Sequence, residues 1–285
     1  MVKLIIMVGL SGSGKSTIAK ELAKKENAII VSSDEIREEL SFYEDQSRNE
    51  EVFKIFNKRI KDGLHNGKNI IADATNITIR SRKQIIEIGK RENAYIISYI
   101  VAKRFYDCYF DNLKREHPVP ELVLRKQIMR FQIPFYEEGF NEIIIDKLNY
   151  EYFPIYEIVN AMDDFDQKTK WHTDKLDVHS EKVFMRFSCK YSRYSLAAIY
   201  HDCGKPYCRT FDEDGQAHYY GHENIGAYIL MTYFQTVTLE DIFLVNYHMM
   251  PFVWIEDKTK EKYKKLFGKD KYEMLLYFNE CDRAR

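Results

Sequence analysis

The start of the chain combines a short apolar segment, a glycine-rich loop and a helical pattern, in that order. The apolar segment, Leu4–Val8, is typical of a buried strand, and the loop after it matches the phosphate-binding pattern G-x-x-x-x-G-K-[ST]. The glycines allow the backbone to turn tightly and to direct its N–H groups at phosphate oxygens. The helical pattern that follows, Ile18–Lys24, adds the partial positive charge of a helix N terminus. This order of elements predicts a binding site for a nucleoside triphosphate.

Two side chains of the loop have defined roles in such a site. Lys15 can reach the β and γ phosphates, and the Ser16 hydroxyl is placed to bind Mg²⁺. The predicted nucleotide-binding residues of the loop are Gly9, Ser11, Gly12, Ser13, Gly14, Lys15, Ser16 and Thr17. The sequence therefore predicts a nucleoside triphosphate and Mg²⁺ as ligands.

The pattern of apolar segments changes near the middle of the chain. In the first half, segments rich in Ile and Val alternate with helical patterns, which is typical of an α/β domain with a parallel sheet and flanking helices. The predicted strands are Leu4–Val8, Ala28–Val31, Asn69–Ala72, Tyr95–Val101 and Glu142–Ile145. The predicted helices between them are Ile36–Phe42, Glu51–Asn66 and Ser81–Arg91. From about Tyr150 the pattern is helical, so we expect an α/β domain over residues 1–155 and an all-α domain over residues 156–285.

Composition limits the class of protein further. A length of 285 residues suits two domains, and a net charge of −1 means that any contact with a polyanion must use a local patch. The five cysteines lack paired metal spacing, which is typical of reduced thiols in a cytosolic protein. The sequence shows no signal peptide and no apolar stretch near the roughly 20 residues that a membrane helix needs. We therefore expect a soluble, cytoplasmic protein that does not act at a membrane.

Polar side chains follow the second and third predicted strands. Asp34 follows the second strand, with Arg37 one helical turn later, and Asp73 follows the third strand directly. Ligands of parallel α/β folds gather at the carboxyl ends of the strands, where a carboxylate can accept the proton of an acceptor hydroxyl or orient Mg²⁺ and its water. Asp34 can alternatively, or in addition, cap a helix that begins at Glu35.

The segment Asn112–Arg125 combines basic residues with a helix start that is bounded by prolines. These features are typical of a lid whose basic side chains close over a triphosphate and neutralise charge in the transition state. The alternative is a solvated basic helix, because charged side chains commonly face water.

The second half contains adjacent His201 and Asp202 after the helical pattern Leu196–Tyr200. A neighbouring imidazole and carboxylate can bind one metal ion if further ligands come from elsewhere. Further candidate ligands are present at His179, His222, His248 and Asp282. Each of these alone is by default an ordinary polar residue, but the set together favours a metal site. Mixed imidazole and carboxylate ligands suit Mn²⁺, Fe, Co, Ni or Zn and do not select among them.

Several ordered motifs of the first half resemble the 5′-hydroxyl polynucleotide kinases of the P-loop superfamily. The matching stretches are Gly9–Thr17, Ser33–Arg37, Asp73–Asn76 and Val119–Arg125. The resemblance implies that Lys15 and Ser16 hold ATP and Mg²⁺. It also implies that Asp34 is the general base for the 5′-hydroxyl, that Arg37 holds the phosphate of the acceptor and that Asp73 is a supporting carboxylate.

The same resemblance implies a lid with two arginines that contact ATP. Arg115 matches one of them. The second is expected about one turn earlier and is absent, since Asp111 stands there. Lys114 and Arg125 are the candidates to replace it, and Arg125 is included among the predicted ATP-binding residues.

The second half resembles the HD phosphohydrolase superfamily, in particular the HD domain attached to some CCA-adding tRNA nucleotidyltransferases. The matching stretches are Trp171–His179, His201–Pro206, Gly221–Glu223 and Glu280–Arg285. The resemblance implies a first metal site made of His179, His201, Asp202 and Asp282. His222 and His248 match positions that bind a second metal in two-metal members, so one or two divalent transition metal ions are implied. Lys205 would approach the phosphate of the substrate.

A 5′-hydroxyl kinase joined to a metal phosphohydrolase resembles the HD-containing polynucleotide kinases of nucleic-acid repair. Many nucleases leave RNA with a 5′-hydroxyl and a 2′,3′-cyclic phosphate, whereas a ligase generally needs a 5′-phosphate and a 3′-hydroxyl. The resemblance therefore implies an enzyme that heals both ends, with RNA or DNA ends as substrate and a nucleic-acid ligase as functional partner. Two alternatives stay open: a small-metabolite or nucleoside kinase fused to an HD nucleotidase, and a nucleic-acid-binding ATPase with a structural HD domain.

Overall fold

The structure is a computed structural model that describes residues 1–40, 48–148, 150–169 and 173–284. The end of the predicted helix Ile36–Phe42 and the motif residues Trp171, His172 and Arg285 lie outside the described residues.

The chain divides into two compact units. The first contains Met1–Gln127 and Pro134–Asn149, and the second contains Ile128–Ile133 and Tyr150–Arg285. The second unit thus takes a short segment from the first half of the chain. The predicted division into residues 1–155 and 156–285 assigns that segment to the first domain. A change of sequence pattern along the chain cannot show that six residues of the first half pack in the second unit.

The first unit is built on a parallel sheet. Its five strands, counted over the described residues, have the order β2-β3-β1-β4-β5. They are β1 (Lys3–Val8), β2 (Ala28–Ser32), β3 (Asn69–Asp73), β4 (Tyr95–Val101) and β5 (Glu142–Asp146). Every pairing between them is parallel. The inner strands are mainly apolar because both faces of the sheet are covered, so the predicted α/β class of this half is confirmed.

Helices connect the strands of the first unit. They are α1 (Lys15–Glu26), α2 (Ser33–Glu39), α3 (Asn49–His65), α4 (Ile79–Arg91), α5 (Phe105–Leu113) and α6 (Glu121–Ile128). Helix α3 shows the expected periodicity, since it buries one side chain in every turn on a single face. Those side chains are Val52, Phe56, Ile60 and Leu64.

The expectation that Asp34 caps its helix is wrong. Helix α2 begins at Ser33, directly after β2, and its N-cap is Ser32, whose hydroxyl accepts a hydrogen bond from the Glu35 N–H at 3.3 Å. Ser32 can take this role because it is the last strand residue and keeps an extended backbone. The Asp34 carboxylate is therefore not used as the cap of the helix.

A buried ion pair fixes the loop that follows β3. Arg82 on α4 is fully buried, and its Nε and Nη2 donate to the Glu138 carboxylate at 2.9 and 2.7 Å. Its Nη1 donates to the carbonyl of Asn76 at 3.0 Å, and the Asn76 amide donates to the carbonyl of Met7 at 2.9 Å. Arg82 therefore connects α4, the Tyr136–Glu138 turn and the end of β1.

Removing one partner of this pair should destabilise the first unit strongly. Glu138→Ala leaves a buried guanidinium without its carboxylate, so we expect a loss of about 3–5 kcal/mol in the free energy of unfolding, measured by urea denaturation. Glu121→Ala is the control, because its exposed pair with Arg125 should change stability by about 1 kcal/mol or less. Equal effects of the two substitutions would contradict this account.

The second unit is mainly helical. Its helices are α7 (Ile155–Met162), α8 (Leu176–Tyr191), α9 (Ser195–Tyr200), α10 (His222–Tyr233), α11 (Leu239–Tyr247), α12 (Asp257–Phe267) and α13 (Lys269–Arg283). A short antiparallel hairpin, β6 (Thr210–Phe211) and β7 (Ala217–His218), interrupts them. The expectation of an all-α domain is corrected to this extent. Strands of two residues are too short to show an alternating pattern in the sequence.

Two asparagines hold the segment Ile128–Ile133 in the second unit. The Asn246 side chain accepts from the Ile133 N–H at 2.6 Å and donates to the Phe131 carbonyl at 3.0 Å. The Asn224 amide donates to the Met129 carbonyl at 2.8 Å. Side chains thus satisfy backbone groups that a buried segment would otherwise leave unpaired.

Among the described helices, none combines the length and the apolar character that crossing a membrane requires.

Candidate active site and candidate metal centre

The phosphate-binding loop lies between β1 and α1 and depends on glycine at two positions. Gly14 has φ 90° and precedes the first residue of α1. Gly12 has φ 78°, and a Cβ atom there would overlap the carbonyl oxygen of Cys108 on α5. The Gly9 N–H is bonded to the Thr75 carbonyl at 3.1 Å, which ties the loop to the end of β3. The loop therefore needs glycine both for its turn and for the close approach of α5.

Lys15 and Asp73 place opposite charges in the buried floor of this site. The Lys15 ammonium donates to the Leu10 carbonyl at 2.7 Å, and burial lowers the pKa of Lys15 despite the attraction of Asp73. Burial also raises the pKa of Asp73, although Lys15 and a hydrogen bond from the Ser16 hydroxyl oppose this. Phosphate oxygens and Mg²⁺ would supply the charges that stabilise both ionised groups here.

Two arginines hold the Asp34 carboxylate. Its Oδ1 accepts from Arg37 Nη1 at 3.0 Å and its Oδ2 from Arg115 Nη2 at 2.9 Å. Arg37 is itself fixed, because its Nη2 donates to Asn49 Oδ1 at 2.9 Å and its guanidinium lies 6.0 Å from the centre of the Phe53 ring. A carboxylate that can accept a proton therefore stands beside two groups that can bind phosphate.

A cavity of about 610 Å³ joins the loop, the strand ends and the lid segment. Predicted residues that line it are Ser11, Gly12, Gly14, Lys15, Ser16, Thr17, Asp34, Arg37, Asp73 and Arg115. Gly9, Ser13, Lys114 and Arg125 do not line it. Gly9 and Ser13 shape the loop from behind, whereas Arg125 donates to Glu121 at 2.7 Å along its own helix.

Asp111 lines the cavity where the resemblance places a second lid arginine. It forms ion pairs with Lys103 and, at 2.7 Å, with Lys114, and hydrogen bonds from these two lysines lower its pKa to about 2. Lys114 is thus paired with Asp111. At the place of the expected arginine the structure has an aspartate whose charge is balanced by two lysines.

Sequence reasoning missed Asn49, Phe53 and Gln127, which also line the cavity. Gln127 is the clearest case. Its side-chain oxygen accepts from the Ser11 N–H at 2.9 Å, and its Nε2 donates to the Ser11 hydroxyl at 3.0 Å. No local motif marks Gln127, since its contact depends on how α6 packs on the loop.

The six predicted metal ligands of the second unit come together around Asp202. On one side, Asp202 Oδ2 lies 3.1 Å from His201 Nε2 and 3.6 Å from His179 Nε2. Asp282 Oδ1 lies 3.0 Å from His179 Nε2 and 3.5 Å from His201 Nε2. We call this set the Asp202 cluster, and it includes the groups described next.

On the other side, Asp202 Oδ1 lies 3.1 Å from His222 Nε2 and 3.6 Å from His248 Nε2. These two imidazole nitrogens are 3.3 Å apart. Two triads with mutually close ligand atoms result, and Asp202 belongs to both. Asp202 would therefore be a ligand for an ion held by either triad.

The protein backbone sets the tautomer of three of these histidines. Nδ1 of His201, His222 and His248 lies 2.7–2.9 Å from a carbonyl oxygen three residues earlier. A carbonyl only accepts, so each Nδ1 carries a proton, and Nε2 is the nitrogen that faces the cluster in all three rings. The Nε2 atoms of His222 and His248 face each other, and the buried Nε2 of His201 makes no hydrogen bond of good geometry. This arrangement fits a site that binds cations.

The charges of the Asp202 cluster also fit a site that binds cations. Burial lowers the pKa of His201, but Asp202 and Asp282 outweigh it and raise this pKa to about 10. Burial raises the pKa of Asp202, but His201 and Lys205 outweigh it and hold this pKa well below its usual range. Lys205 Nζ lies 2.6 Å from Asp202 Oδ2 and 2.8 Å from the Gln167 side-chain oxygen. The charged carboxylates therefore require positive partners at this place.

Substitution of Asp202, the residue that the two triads share, tests whether the cluster binds metal. We expect Asp202→Asn, after incubation with Mn²⁺ and desalting, to retain at least roughly tenfold less metal than the wild type, measured by mass spectrometry of the elements. Asp212→Asn is the matched control, because Asp212 pairs with His218 at 2.9 Å on the surface. Equal metal content in both variants would refute a metal site at Asp202.

The matches to known proteins fall in the first half of the chain or cover about half of it. Residues 4–134 match a family model described as AAA domain. The L-seryl-tRNA(Sec) kinase of Methanococcus maripaludis is 30% identical over 143 residues, which cover 46% of this chain and 53% of that relative. The chain therefore matches about half the length of this curated relative.

Fold, loop geometry and these matches agree on the class of the first unit. It is a kinase-like P-loop domain, and it indicates a phosphotransferase that uses ATP and Mg²⁺. The second unit is helical and contains His/Asp clusters suited to metal ions.

Proposed function

We propose that this protein heals the broken ends of nucleic acids, RNA in the first place. Its kinase site phosphorylates 5′-hydroxyl ends, and its HD-type centre hydrolyses 2′-phosphate or 2′,3′-cyclic phosphate ends. The observation that carries the proposal is that one chain combines a carboxylate held between two arginines beside a phosphate-binding loop with a two-sided cluster around Asp202.

In the kinase reaction, Asp34 accepts the proton of the 5′-hydroxyl as the oxygen forms its bond to the γ-phosphorus. The bond from that phosphorus to the β–γ bridging oxygen breaks, and ADP leaves. Lys15 would neutralise charge on the phosphates, and Ser16 would hold the Mg²⁺ that supplies further positive charge there. Arg115 would move from Asp34 onto the triphosphate, which frees one carboxylate oxygen for the acceptor.

The surroundings of Arg37 support a nucleotide as the acceptor. Asn49 and the Phe53 ring fix the guanidinium beside Asp34, so a phosphate bound there places a neighbouring hydroxyl within reach of the carboxylate. Phe53 lines the cavity and offers a surface on which a base can stack. An acceptor without a phosphate would leave Arg37 unused.

In the second unit, His179, His201, Asp202 and Asp282 would hold one ion, and His222 and His248 would hold a second with Asp202. When bound, such ions activate water and polarise the phosphoester. Lys205 is held at the cluster by Asp202 and Gln167, where its ammonium can bind a phosphate oxygen. Hydrolysis of a 2′-phosphate releases inorganic phosphate, and hydrolysis of a cyclic phosphate opens one P–O bond.

A second candidate function follows from the relative named L-seryl-tRNA(Sec) kinase. The name denotes an acceptor attached to tRNA, and a kinase site of the same class could phosphorylate a hydroxyl of an aminoacyl group. The Asp34 carboxylate would have the same role, but Arg37 would then face the tRNA instead of the phosphate next to a 5′ end.

Incubation with three kinds of acceptor separates these functions. With labelled ATP, we expect transfer to a 5′-hydroxyl RNA oligonucleotide in clear excess over transfer to seryl-tRNA and to a nucleoside panel. Label on seryl-tRNA alone would favour the second candidate, and label on free nucleosides alone would favour a small-metabolite kinase.

Point variants test the division of labour on an RNA with a 5′-hydroxyl and a 2′,3′-cyclic phosphate. Asp34→Ala should lower the kinase rate by about 10²–10⁴-fold, because the proton acceptor is lost, and should spare hydrolysis at the other end. Asp202→Ala should abolish hydrolysis and spare the kinase. Analysis of both termini measures the two reactions, and loss of both in either variant would contradict independent sites.

A further inference from the structure

Aromatic and basic side chains of the β6–β7 hairpin, of the residues that flank it and of the segment before α8 lie together beside the Asp202 cluster. We define the hairpin track by its residues: Phe165, Lys168, Arg209, Phe211 and Tyr219. We propose that the hairpin track binds single-stranded nucleic acid and guides its 3′ end to the Asp202 cluster. The inference rests on the proposed hydrolytic function and names the substrate class of that site.

Rings and cations alternate along the hairpin track. The Arg209 guanidinium lies 4.5 Å from the centre of the Phe165 ring and 5.4 Å from that of Phe211. The Lys168 ammonium lies 6.0 Å from the centre of the Phe211 ring, and the ring centres of Phe165 and Tyr219 are 6.2 Å apart. The track is therefore continuous from Lys168 to Tyr219.

Tyr219 joins the track to the metal ligands. Its ring centre lies 5.6 Å from Lys205 Nζ, and its carbonyl is the hydrogen-bond partner of His222 Nδ1 at 2.7 Å. Its hydroxyl donates to the Gln167 carbonyl at 2.5 Å, and the Gln167 side chain accepts from Lys205 at 2.8 Å. A strand that lies along the track therefore arrives where Lys205 touches Asp202.

The exposure of the track suits an unpaired strand. Phe211 is 52% exposed, and Lys168 and Arg209 are also exposed, so a ring face and two positive charges are accessible together. Bases stack on aromatic rings and phosphates bind Arg and Lys, whereas the bases of a duplex have no free face to stack. This combination favours single-stranded nucleic acid over a duplex.

Charge in the hairpin turn limits the path of the strand. Asp212, Glu213 and Asp214 follow Phe211 in the sequence, and their carboxylates repel phosphate. The Asp212 carboxylate is paired with His218 at 2.9 Å. The phosphates are therefore expected to follow Arg209 and Lys168 and to avoid the turn.

The test compares two substrates in the presence of Mn²⁺. One is a single-stranded RNA of about ten nucleotides with a terminal 2′-phosphate, which is long enough to cover an aromatic and basic groove. The other is bis(p-nitrophenyl) phosphate, which is too small to reach the track. We expect Phe211→Ala to lower the ratio of kcat/KM for RNA to kcat/KM for the small diester by about 5- to 150-fold, as loss of one stacked base predicts. Arg209→Ala should lower the same ratio, and Phe211→Tyr should keep it.

Lys262→Ala is the matched control. Lys262 also lies near an aromatic ring, 5.2 Å from the centre of Tyr263, but on α12 and outside the track. Its loss should leave the ratio unchanged, so a general effect of one positive charge is excluded. An unchanged ratio in both Phe211→Ala and Arg209→Ala would overturn the proposal.

A second measurement separates failure of the track from failure of the proposed function. If the wild type hydrolyses neither substrate, the hydrolytic proposal fails and the track is judged by cross-linking alone. RNA that contains 4-thiouridine is irradiated with the protein, and the cross-linked peptides are identified by mass spectrometry. Cross-links at Phe211 or Tyr219 support the track, and cross-links confined to other peptides overturn it.

Discussion

Compensation of buried charge is the constraint on which both candidate sites depend. Asp202 shows it most clearly, because its two carboxylate oxygens face imidazoles on both sides and an ammonium group as well. A carboxylate in such a place is stable only when positive charge surrounds it. At the P-loop, burial outweighs the attraction between Lys15 and Asp73. It lowers the pKa of Lys15 and raises that of Asp73, so the neutral form of each group is favoured. Each site is therefore complete only with further charge, and phosphates and metal ions are the groups that carry it.

The parts of the fold that depend on local rules could be predicted from the sequence. The five strands of the sheet lie within one residue of their predicted bounds, because buried parallel strands are mainly apolar. The P-loop was equally predictable, because its backbone needs positive φ angles that favour glycine. Gly12 and Gly14 have such angles. The cap of α2 and the β6–β7 hairpin were not, because one depends on where a strand stops and the other is too short to have a pattern.

The residues of the candidate sites could be predicted from the sequence, but their positions relative to one another could not. The histidines and aspartates of the second unit are chemically conspicuous. Their division into two sets by the two oxygens of Asp202 arises only when α8, α10, α13 and the ends of α9 and α11 meet. Gln127, Phe53 and the Arg82–Glu138 pair lack any local signal, because each acts through a partner distant in sequence. Tertiary packing decides these contacts.

The segment Ile128–Ile133 has a consequence for how the chain folds as it is made. Its partner Asn246 lies 113 residues beyond Ile133, so at a synthesis rate of about 5–20 residues per second the partner follows roughly 5–20 s later. During that interval Phe131 and Ile133, which the finished protein buries completely, have no second unit to pack in. The first unit can complete its sheet with β5 in the meantime. Synthesis thus passes through a stage in which the sheet is formed while the apolar residues of Ile128–Ile133 are still exposed. Chaperones bind exposed apolar segments of this kind.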